Sequence, residues 1–362
     1  MIEKIARKAN LLRYSFRASK RFQQSLIGTL RRALTLYRDR RFLAEEAFDV
    51  GLFKLDCDPT LLREAVSRRY QAQVQKRLNP ISWAPLLADK GIFYRYCEAR
   101  GLPIPDLYAV FFRGTPGYCP AGTPLYNSRQ WAGFVASGLP TEFVVKPCGS
   151  YRGRGVLGYT RIAADHFLAS DGVARSSSQI VDSLRNSHDA DSFVIQQRLR
   201  SHQAIAALSQ NSNLQTLRIT TFIGRDGMCR MLFAHLKLMT DAKVFTDNVG
   251  DGQAGNICSV ICLETGRIAK SFVKTWDGSG DRFVSNHPVT RCELAGFPIP
   301  RWSDACDLAR QAAYAFLPVR SVGWDVGITD DGVKLIEGNI WWDRRDYADG
   351  YMAVLLNDLD GL

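Results

Sequence analysis

The spacing of apolar residues changes along the chain from a helical period to a strand period. Up to residue 80, apolar residues recur every three or four positions, as in amphipathic helices, and Asn79-Pro80 ends this pattern. Beyond it, short apolar runs that alternate with polar residues predict strands. The polar segment 171–191 is predicted to be a surface connection. Later helices are predicted at 90–100, 128–136, 203–210 and 305–316, the last with Ser303 as its N-cap.

The C-terminal run from Gly323 to Asn339 reads as a β-hairpin with oxygen-bearing side chains. Its turn, Asp330-Asp331-Gly332, suits a three-residue loop with glycine in the left-handed position, which places Asp325 directly opposite Glu337. Asn339 follows two residues later and therefore shares that face. Two carboxylates and a carboxamide, with no His or Cys among them, suit Mg²⁺ carried in with a nucleotide's phosphates.

A glycine-rich loop follows the predicted strand 142–145. The strand delivers Lys146, and the loop to residue 156 then holds three glycines and two arginines. Glycines allow backbone N–H groups to approach phosphate oxygens, while Lys and Arg add positive charge. The loop therefore indicates a triphosphate site, although a hairpin that merely uses glycine at its turn remains an alternative.

Two further strands carry basic side chains. Strands 213–222 and 231–238 are joined by a short Gly-Arg-Asp-Gly connection and are predicted to pair antiparallel. Arg218, His235 and Lys237 alternate with apolar neighbours along them, so all three are predicted on the face opposite the core. A solvated sheet face is the alternative.

Composition places the chain among globular proteins. Its 362 residues are 46% hydrophobic and 23% charged, and no run of eighteen apolar residues or secretory signal occurs, so we expect a cytosolic protein. The nine cysteines are odd in number and form no CxxC pair. They are predicted to be reduced thiols, which argues against a disulfide framework or a zinc site.

The net charge of +11 is concentrated at the N-terminus. Residues 1–41 hold twelve Lys or Arg but only two acids, Glu3 and Asp39, which leaves a net +10 in this segment. Apolar residues recur there at helical spacing: Ile5, Ala9, Leu12, Phe16, Phe22, Leu26, Leu30 and Leu34. Two interpretations are open: helices packed on the body with a solvated basic face, or attachment to an anionic membrane on its inner face. Nucleic acid ranks lower because no reading motif is present.

The order of these features resembles the ATP-grasp superfamily, in which two α+β lobes clasp ATP and a carboxylate is activated by phosphorylation. Lys90 comes first, then Lys146 with its loop, then Arg218, and finally the Asp325 hairpin. The spacing from Asp325 to Glu337 and the Glu-x-Asn ending resemble the metal hairpin of D-alanine:D-alanine ligase and of the ribosomal-protein glutamate ligase.

More narrowly, the chain resembles the sugar-transfer associated ATP-grasp proteins over residues 42–345. The motifs are Leu78-Asn79-Pro80, the runs Asp89 to Tyr94 and Gly101 to Pro105, Thr216-Leu217-Arg218, Asp247-Asn248 with the glycines after it, His287-Pro288 and Gly323-Trp324-Asp325. The resemblance implies an α+β fold in three regions: a basic helical region at 1–80, a first lobe at 81–200 and a second lobe at 201–362.

The resemblance also implies roles for individual residues. Arg218 and Lys146 would be catalytic, with Arg218 stabilising the acyl phosphate and the oxyanion formed when an amine attacks. ATP would be bound by Lys90, Lys146, the flap residues Gly149, Ser150, Gly153 and Gly155, the adenine-pocket residues Gln196, Gln197 and Leu199, and Lys237. Asp325, Glu337 and Asn339 would hold one or two Mg²⁺ ions. Many relatives carry Glu where Gln196 or Gln197 stands, so adenine contact is expected through the backbone and a side-chain role is left open.

The leading hypothesis is an ATP-dependent ligase that joins a small-molecule or peptide carboxylate to an amine through an acyl phosphate. The alternatives are a nucleotide-binding scaffold on the membrane face and a phosphotransferase with a hydroxyl acceptor. Arg282, His287, Arg344 and Arg345 are candidates for binding an acidic substrate, and solvated loop charges are the alternative. Trp341 and Trp342 are either a stacking wall or part of the core. The sequence leaves the substrates and the oligomeric state open.

Overall fold

A computed structural model describes residues 2–120, 122, 124–150, 153–241, 243–249, 255–275, 277–343 and 350–360. Its helices are α1 (Ile2–Arg21), α2 (Leu26–Arg40), α3 (Ala44–Asp49), α4 (Pro59–Glu64), α5 (Arg68–Leu78), α6 (Pro85–Ala88), α7 (Lys90–Ala99), α8 (Ser128–Gly133), α9 (Ser177–Arg185), α10 (Gln203–Ser209), α11 (Trp302–Ala315) and α12 (Tyr351–Asp360). Among these residues, no helix combines the length and apolar character needed to cross a bilayer.

The described strands form two antiparallel sheets. The first has the order β1-β6-β2-β3-β4-β5 and the second the order β11-β10-β9-β8-β7-β12-β13. The first sheet contains β1 (Leu107–Phe112), β2 (Glu142–Pro147), β3 (Leu157–Ala163), β4 (His166–Ala169), β5 (Ala174–Ser176) and β6 (Ser192–Gln197). The second contains β7 (Thr216–Ile223), β8 (Cys229–Leu238), β9 (Ile257–Cys262), β10 (Arg267–Lys274), β11 (Asp281–Phe283), β12 (Ser321–Thr329) and β13 (Gly332–Asn339).

The central strands of the first sheet are buried on both faces because their residues alternate between two cores. Phe143 and Ile195 join a core that includes Trp131 and Ile180, from α8 and α9. Val194, one residue along β6, points instead into the larger core. The segment 171–191 is therefore not merely a surface connection, since α9 buries an apolar face; that prediction was wrong.

The second sheet supports the larger core. Helix α11 packs across β7, β12 and β13, and α7 contributes Phe93 and Tyr94 to the same core. Helix α11 begins at Trp302 with Arg301 as its N-cap, so the prediction of Ser303 as N-cap was wrong. Two sheets with flanking helices confirm the two-lobed α+β fold, whereas the lobe boundaries at residues 80 and 200 remain a prediction.

The N-terminal helices form a separate small core. Ala18, Ala33 and Leu36 pack on the apolar residues of α3 and the turn after it, including Phe48 and Phe53. Most of the apolar stripe singled out in the sequence points elsewhere: Ile5, Ala9, Leu12, Phe16, Leu26 and Leu34 are exposed, while Phe22 and Leu30 are half-buried. The packed face uses Ala18, Ala33 and Leu36 together with the partly buried Leu11, Tyr14 and Phe22, so most of the predicted stripe does not hold these helices to the body.

Candidate functional site

A cavity of about 520 Å³ is lined by strands of both sheets. It brings together twelve of the predicted site residues: Lys90, Lys146, Ser150, Gly153, Gln196, Gln197, Leu199, Arg218, Lys237, Asp325, Glu337 and Asn339. Gly149 and Gly155 belong to the same loop, but they are exposed and lie outside the cavity lining. The residues that the sequence separates by about 250 positions therefore share one cleft.

The hairpin β12–β13 pairs Asp325 directly with Glu337, as predicted. The turn is different: Thr329 pairs with Gly332, so Asp330 and Asp331 form a two-residue loop. That loop alone would bring Asp325 opposite Ile336, but an irregularity in the ladder leaves Ile336 without a partner on β12 and restores the Asp325–Glu337 pair. The predicted pairing is confirmed, and the three-residue loop was wrong.

Asp325 lies between two cations. Arg218 is directly opposite it on β7 and donates from Nε and Nη2, with a 2.8 Å Nη2–Oδ2 distance. Lys237 Nζ donates to Oδ2 at 2.9 Å. Burial would raise the pKa of the Asp325 carboxyl, yet the two cations outweigh it and hold that pKa below its usual range. Asp325 is therefore charged, and Arg218 and Lys237 of the predicted basic sheet face form a buried ion cluster with it rather than a solvated surface. His235, the third predicted residue, is also buried.

Lys90 connects the hairpin to the glycine-rich loop. It begins α7, which Asp89 caps, and its Nζ donates to the Ser150 carbonyl at 2.7 Å and lies 3.9 Å from Glu337 Oε1. Lys146 lines the same cavity, and burial together with the nearby Lys90 lowers its pKa to about 8. Two lysines thus face two acids across the cleft, and an anion entering it would meet positive charge on the loop side.

The glycine-rich loop closes one side of the cavity. Gly153 and Gly155 have φ of +72° and +71°, which L side chains rarely adopt. A Cβ at Gly153 would lie 3.3 Å from the Cβ of Thr246, so the loop also packs against the segment around Thr246. The loop joins the paired strands β2 and β3, as the simple hairpin interpretation requires, and it also contributes Ser150 and Gly153 to the cavity. Arg152 lies outside the described residues.

The residues predicted around adenine lie at the end of β6. Gln196 is 2% exposed, and its Oε1 has no hydrogen-bond partner among the described residues. Gln197 Oε1 accepts a 3.3 Å hydrogen bond from the backbone of Asp106. Among the described residues, the Gln196 side chain therefore has a buried acceptor without a partner, whereas the side-chain amide oxygen of Gln197 is already bonded to the residue before β1.

The donor set suits a hard cation bound together with phosphates. Asn339 Nδ2 donates to the Gly323 carbonyl at 3.3 Å, so this hydrogen bond does not use the Oδ1 of the same side chain. The Glu337 side chain is 27% exposed. No three His, Cys, Asp or Glu side chains converge on one point in the part of the chain that the structure describes. Two carboxylates and a carboxamide fit Mg²⁺, which commonly takes one or two carboxylates and completes its shell with phosphate and water oxygens.

The side chains of Asp247 and Arg198 also line the cavity, and the sequence predicts no role for either side chain. Asp247 Oδ2 accepts from the backbone N–H of Thr216 at 2.6 Å and from its hydroxyl, two residues before Arg218. Arg198 donates to Glu142 and Thr160, and its guanidinium lies 5.3 Å from the ring centre of Phe245. Asp247-Asn248 is part of the resemblance, so Asp247 carries a signal. Arg198 lies in the segment predicted to line the adenine pocket through its backbone, and nothing in the sequence points to its side chain.

The predicted acceptor-site candidates separate into different places. His287 is buried, with Nε2 2.9 Å from the Met239 carbonyl and Nδ1 accepting from Thr290, so its prediction as a substrate ligand was wrong. Arg282 is exposed on β11, outside the cavity lining. Trp341 lines the cavity, whereas Trp342 is buried and donates to Ser321 Oγ. Arg344 and Arg345 lie outside the described residues.

The motif Leu78-Asn79-Pro80 has a structural explanation. Asn79 is 1% exposed, and its Nδ2 donates to the carbonyls of Ser321 and Ile340, at the start of β12 and just after β13. Its Oδ1 accepts from the N–H groups of Arg320 and Ser321. Asn79 therefore fixes both ends of the metal-type hairpin without entering the cavity.

Comparison with known proteins supplies a family. The model of the sugar-transfer associated ATP-grasp family matches residues 69–345. A comparison with curated protein sequences gave no match.

Similar solved structures include three ligases. Phosphoribosylamine–glycine ligase from Thermotoga maritima is 12% identical over 78% of this chain and 57% of its own, with a TM-score of 0.44. D-Alanine–D-alanine ligase from Helicobacter pylori is 10% identical over 76% and 61%, with a TM-score of 0.44. L-Amino acid ligase from Bacillus licheniformis is 12% identical over 82% and 52%, with a TM-score of 0.40. The chain thus spans between about half and three fifths of the length of these three proteins.

Proposed function

Since the chain belongs to the sugar-transfer associated ATP-grasp family, we propose that it is an ATP-dependent ligase that couples a carboxylic acid to an amine and releases ADP and phosphate. The carboxylate and the amine are small molecules or peptides. The observation that carries this proposal is the register that sets Arg218 opposite Asp325, and Asp325 opposite Glu337, inside the cleft that also holds Lys90 and Lys146.

The reaction has two steps. A carboxylate oxygen attacks the γ-phosphorus of ATP, and the bond from that phosphorus to the β-phosphate oxygen breaks, which gives an acyl phosphate and ADP. The amine nitrogen then attacks the acyl carbon, the bond to the phosphate oxygen breaks, and the nitrogen loses a proton as the amide forms. Attack of one anion on another is repulsive, so the first step needs positive charge around the transferred group.

The lysines supply that charge on the loop side. Lys90 and Lys146 lie at the end of the cleft formed by Ser150 and the glycine-rich loop, where the triphosphate would lie. The loop's backbone N–H groups can donate to phosphate oxygens because glycine allows close approach. Gln196 and Gln197 line the same cleft, and the backbone of this segment would contact the base.

Arg218 and Lys237 supply charge on the sheet side. Both are fixed by Asp325 before any substrate binds, so they need little rearrangement when negative charge develops on the acyl phosphate or on the tetrahedral intermediate. Such an oxyanion forms only in acyl transfer, whereas a phosphotransferase would use these cations for phosphate charge alone. Asp325, Glu337 and Asn339 would hold Mg²⁺. When bound, Mg²⁺ supplies further neutralisation of the phosphate oxygens.

The experiment is ADP release with pairs drawn from panels of carboxylic acids and of amines, including amino acids, peptides and amino sugars. We expect turnover that needs both an acid and an amine, and a loss of roughly 10²-fold or more in Glu337→Ala, because a group that stabilises transition-state charge is removed. Glu264→Gln, an exposed acid in a distant turn, is the matched control and should retain activity. The proposal would be refuted if no pair of acid and amine supported ADP release, or if Glu337→Ala left the release rate unchanged.

A further inference from the structure

Helices α1 and α2 present large apolar side chains to solvent. Ile5, Leu12 and Phe16 of α1 are 62%, 58% and 49% exposed, and Ile27 and Leu34 of α2 are 66% and 53% exposed. In each helix these residues recur at intervals of four or seven, so they form a stripe on one side. Exposed stripes of this kind mark interaction surfaces more often than scattered single residues do.

The stripe is not needed to hold the helices in place. Their inner faces already pack through Ala18, Ala33 and Leu36 against Phe48, and Ser25 caps the start of α2. The same face buries the hydroxyl residues Ser15 and Thr29. Other apolar residues of the two helices, including Leu11, Tyr14 and Leu36, already pack inward. The exposed stripe is therefore additional apolar surface that the small core does not use, while two hydroxyl residues are buried.

Basic residues surround the exposed stripe. Lys8 and Arg13 lie beside it on α1, Lys20 Nζ lies 4.7 Å from the ring centre of Phe16, and Arg31 and Arg38 lie beside it on α2. Residues 1–41 carry twelve Lys or Arg and two acids. The family match begins at residue 69, so this surface is an addition to the matched region.

We propose that this basic apolar surface of α1 and α2 docks on an anionic lipid bilayer. The apolar side chains would enter the boundary between headgroups and acyl chains, while Lys and Arg contact lipid phosphates. A second copy of the chain is disfavoured as the occupant because pairing the surface with itself would bring two segments of net +10 together. The proposal does not depend on the ligase activity.

The test is flotation of the full chain with vesicles of phosphatidylcholine alone and of phosphatidylcholine with 30% phosphatidylglycerol. We expect binding to the anionic vesicles, and at least about a tenfold weaker partition when Ile5, Leu12 and Phe16 are all changed to Gln, since each buried apolar side chain contributes. Changing Lys8 and Arg31 to Gln should weaken binding about fivefold per charge.

A matched triple variant keeps the result interpretable. Leu55→Gln, Ile81→Gln and Met228→Gln remove three apolar residues that are 77%, 69% and 60% exposed elsewhere, and should leave flotation unchanged. Urea unfolding of all variants checks that each is folded.

Four outcomes overturn the proposal. They are no binding to the anionic vesicles, equal binding to both vesicle types, equal loss in the matched triple variant, and a dimer in light scattering that the α1 variant abolishes.

Discussion

At the scale of single residues, Asp325 shows how the site is held before substrate binds. The carboxylate is buried and is bound by Arg218 and Lys237. These partners are needed because an unpaired buried charge would strongly destabilise the fold. Both partners are themselves largely buried, with side-chain exposures of 13% and 11%. Removing the carboxylate's charge would therefore leave two cations without compensation.

Asp325→Asn should lower the free energy of unfolding by about 3 kcal/mol or more, because breaking a buried ion cluster leaves uncompensated charge. Urea denaturation near pH 7 measures it. Asp307→Asn, which breaks an exposed pair with Arg310, should change the free energy of unfolding by less than about 1 kcal/mol. Equal effects for the two variants would contradict the buried cluster.

The pH dependence of the same variant has a defined sign. The folded pKa of Asp325 is depressed, so its contribution is present above the unfolded pKa of about 4 and is lost as the pH falls below it. The stability difference between wild type and Asp325→Asn should accordingly shrink on acidification below about pH 4. A difference that grows on acidification would contradict this assignment.

If Lys146 binds ATP as proposed, ATP affinity should depend on pH. Burial and the adjacent Lys90 lower its pKa to about 8, and a bound triphosphate would favour its charged form. ATP affinity should therefore weaken as the pH rises through 8, by up to about tenfold per unit. Titration calorimetry from pH 6.5 to 9.5 measures this slope.

Two lysine variants test whether Lys146 is the group that titrates. Lys146→Met should bind ATP more weakly and lose the slope above pH 8, whereas Lys76→Met, an exposed change on α5, should behave as wild type. A Lys146→Met protein that retains the wild-type slope would assign the titration to another group.

At the scale of elements, the hairpin β12–β13 depends on close packing against α6 and α7. A Cβ on Gly338 would lie 2.3 Å from Leu87 and 2.8 Å from Trp324. Gly338→Ala should therefore lower the free energy of unfolding by about 1–3 kcal/mol through overpacking. Gly149→Ala, where a Cβ meets no described atom within 4 Å and no unusual φ is recorded, should stay within about 0.5 kcal/mol of wild type in thermal unfolding. Similar losses in both would show that the contact with Leu87 is not what fixes the hairpin.

The hairpin also shows how far element-level prediction reaches. Alternation and a turn signal were enough to pair Asp325 with Glu337, yet the actual turn is one residue shorter and the ladder is corrected at Ile336. The predicted turn was one residue too long and the irregularity at Ile336 was not predicted, and these two errors shift the register in opposite directions, so they cancel. Sequence spacing counts residues between two positions, and it does not reveal where along a strand an extra residue is absorbed.

The N-terminal helices were predictable as helices, whereas their orientation was not. Their apolar period is clear, but Ile5 and Leu12 are exposed and Ala18 and Ala33 are buried. Hydrophobic periodicity predicts which residues share a face of the helix. Whether that face is buried depends on the surfaces that other parts of the chain place against it. Helix α9 was missed for the converse reason, because three apolar residues among polar neighbours gave too weak a period.

At the scale of the whole molecule, distant segments converge on the cavity by means that sequence order alone did not reveal. Helix α5 holds the segment after β13 through Gln71 and Gln75, which both donate to the carbonyl of Trp342, and through Asn79. The order of Lys90, Lys146, Arg218 and the hairpin predicted one site because a family arrangement was recognised. The side-chain partners of Gln71 and Asn79 needed the tertiary structure, since a polar residue in or just after a helix has no sequence pattern that identifies a partner 240 or more positions away.

The most direct test of the proposed ligase uses an acid labelled with ¹⁸O in its carboxylate. For any acid and amine pair that supports ADP release, phosphorus NMR of the products follows the label. The acyl-phosphate route predicts one ¹⁸O transferred from the carboxylate to inorganic phosphate for each amide formed. Inorganic phosphate without ¹⁸O, or a phosphoryl group retained on the product, would contradict it.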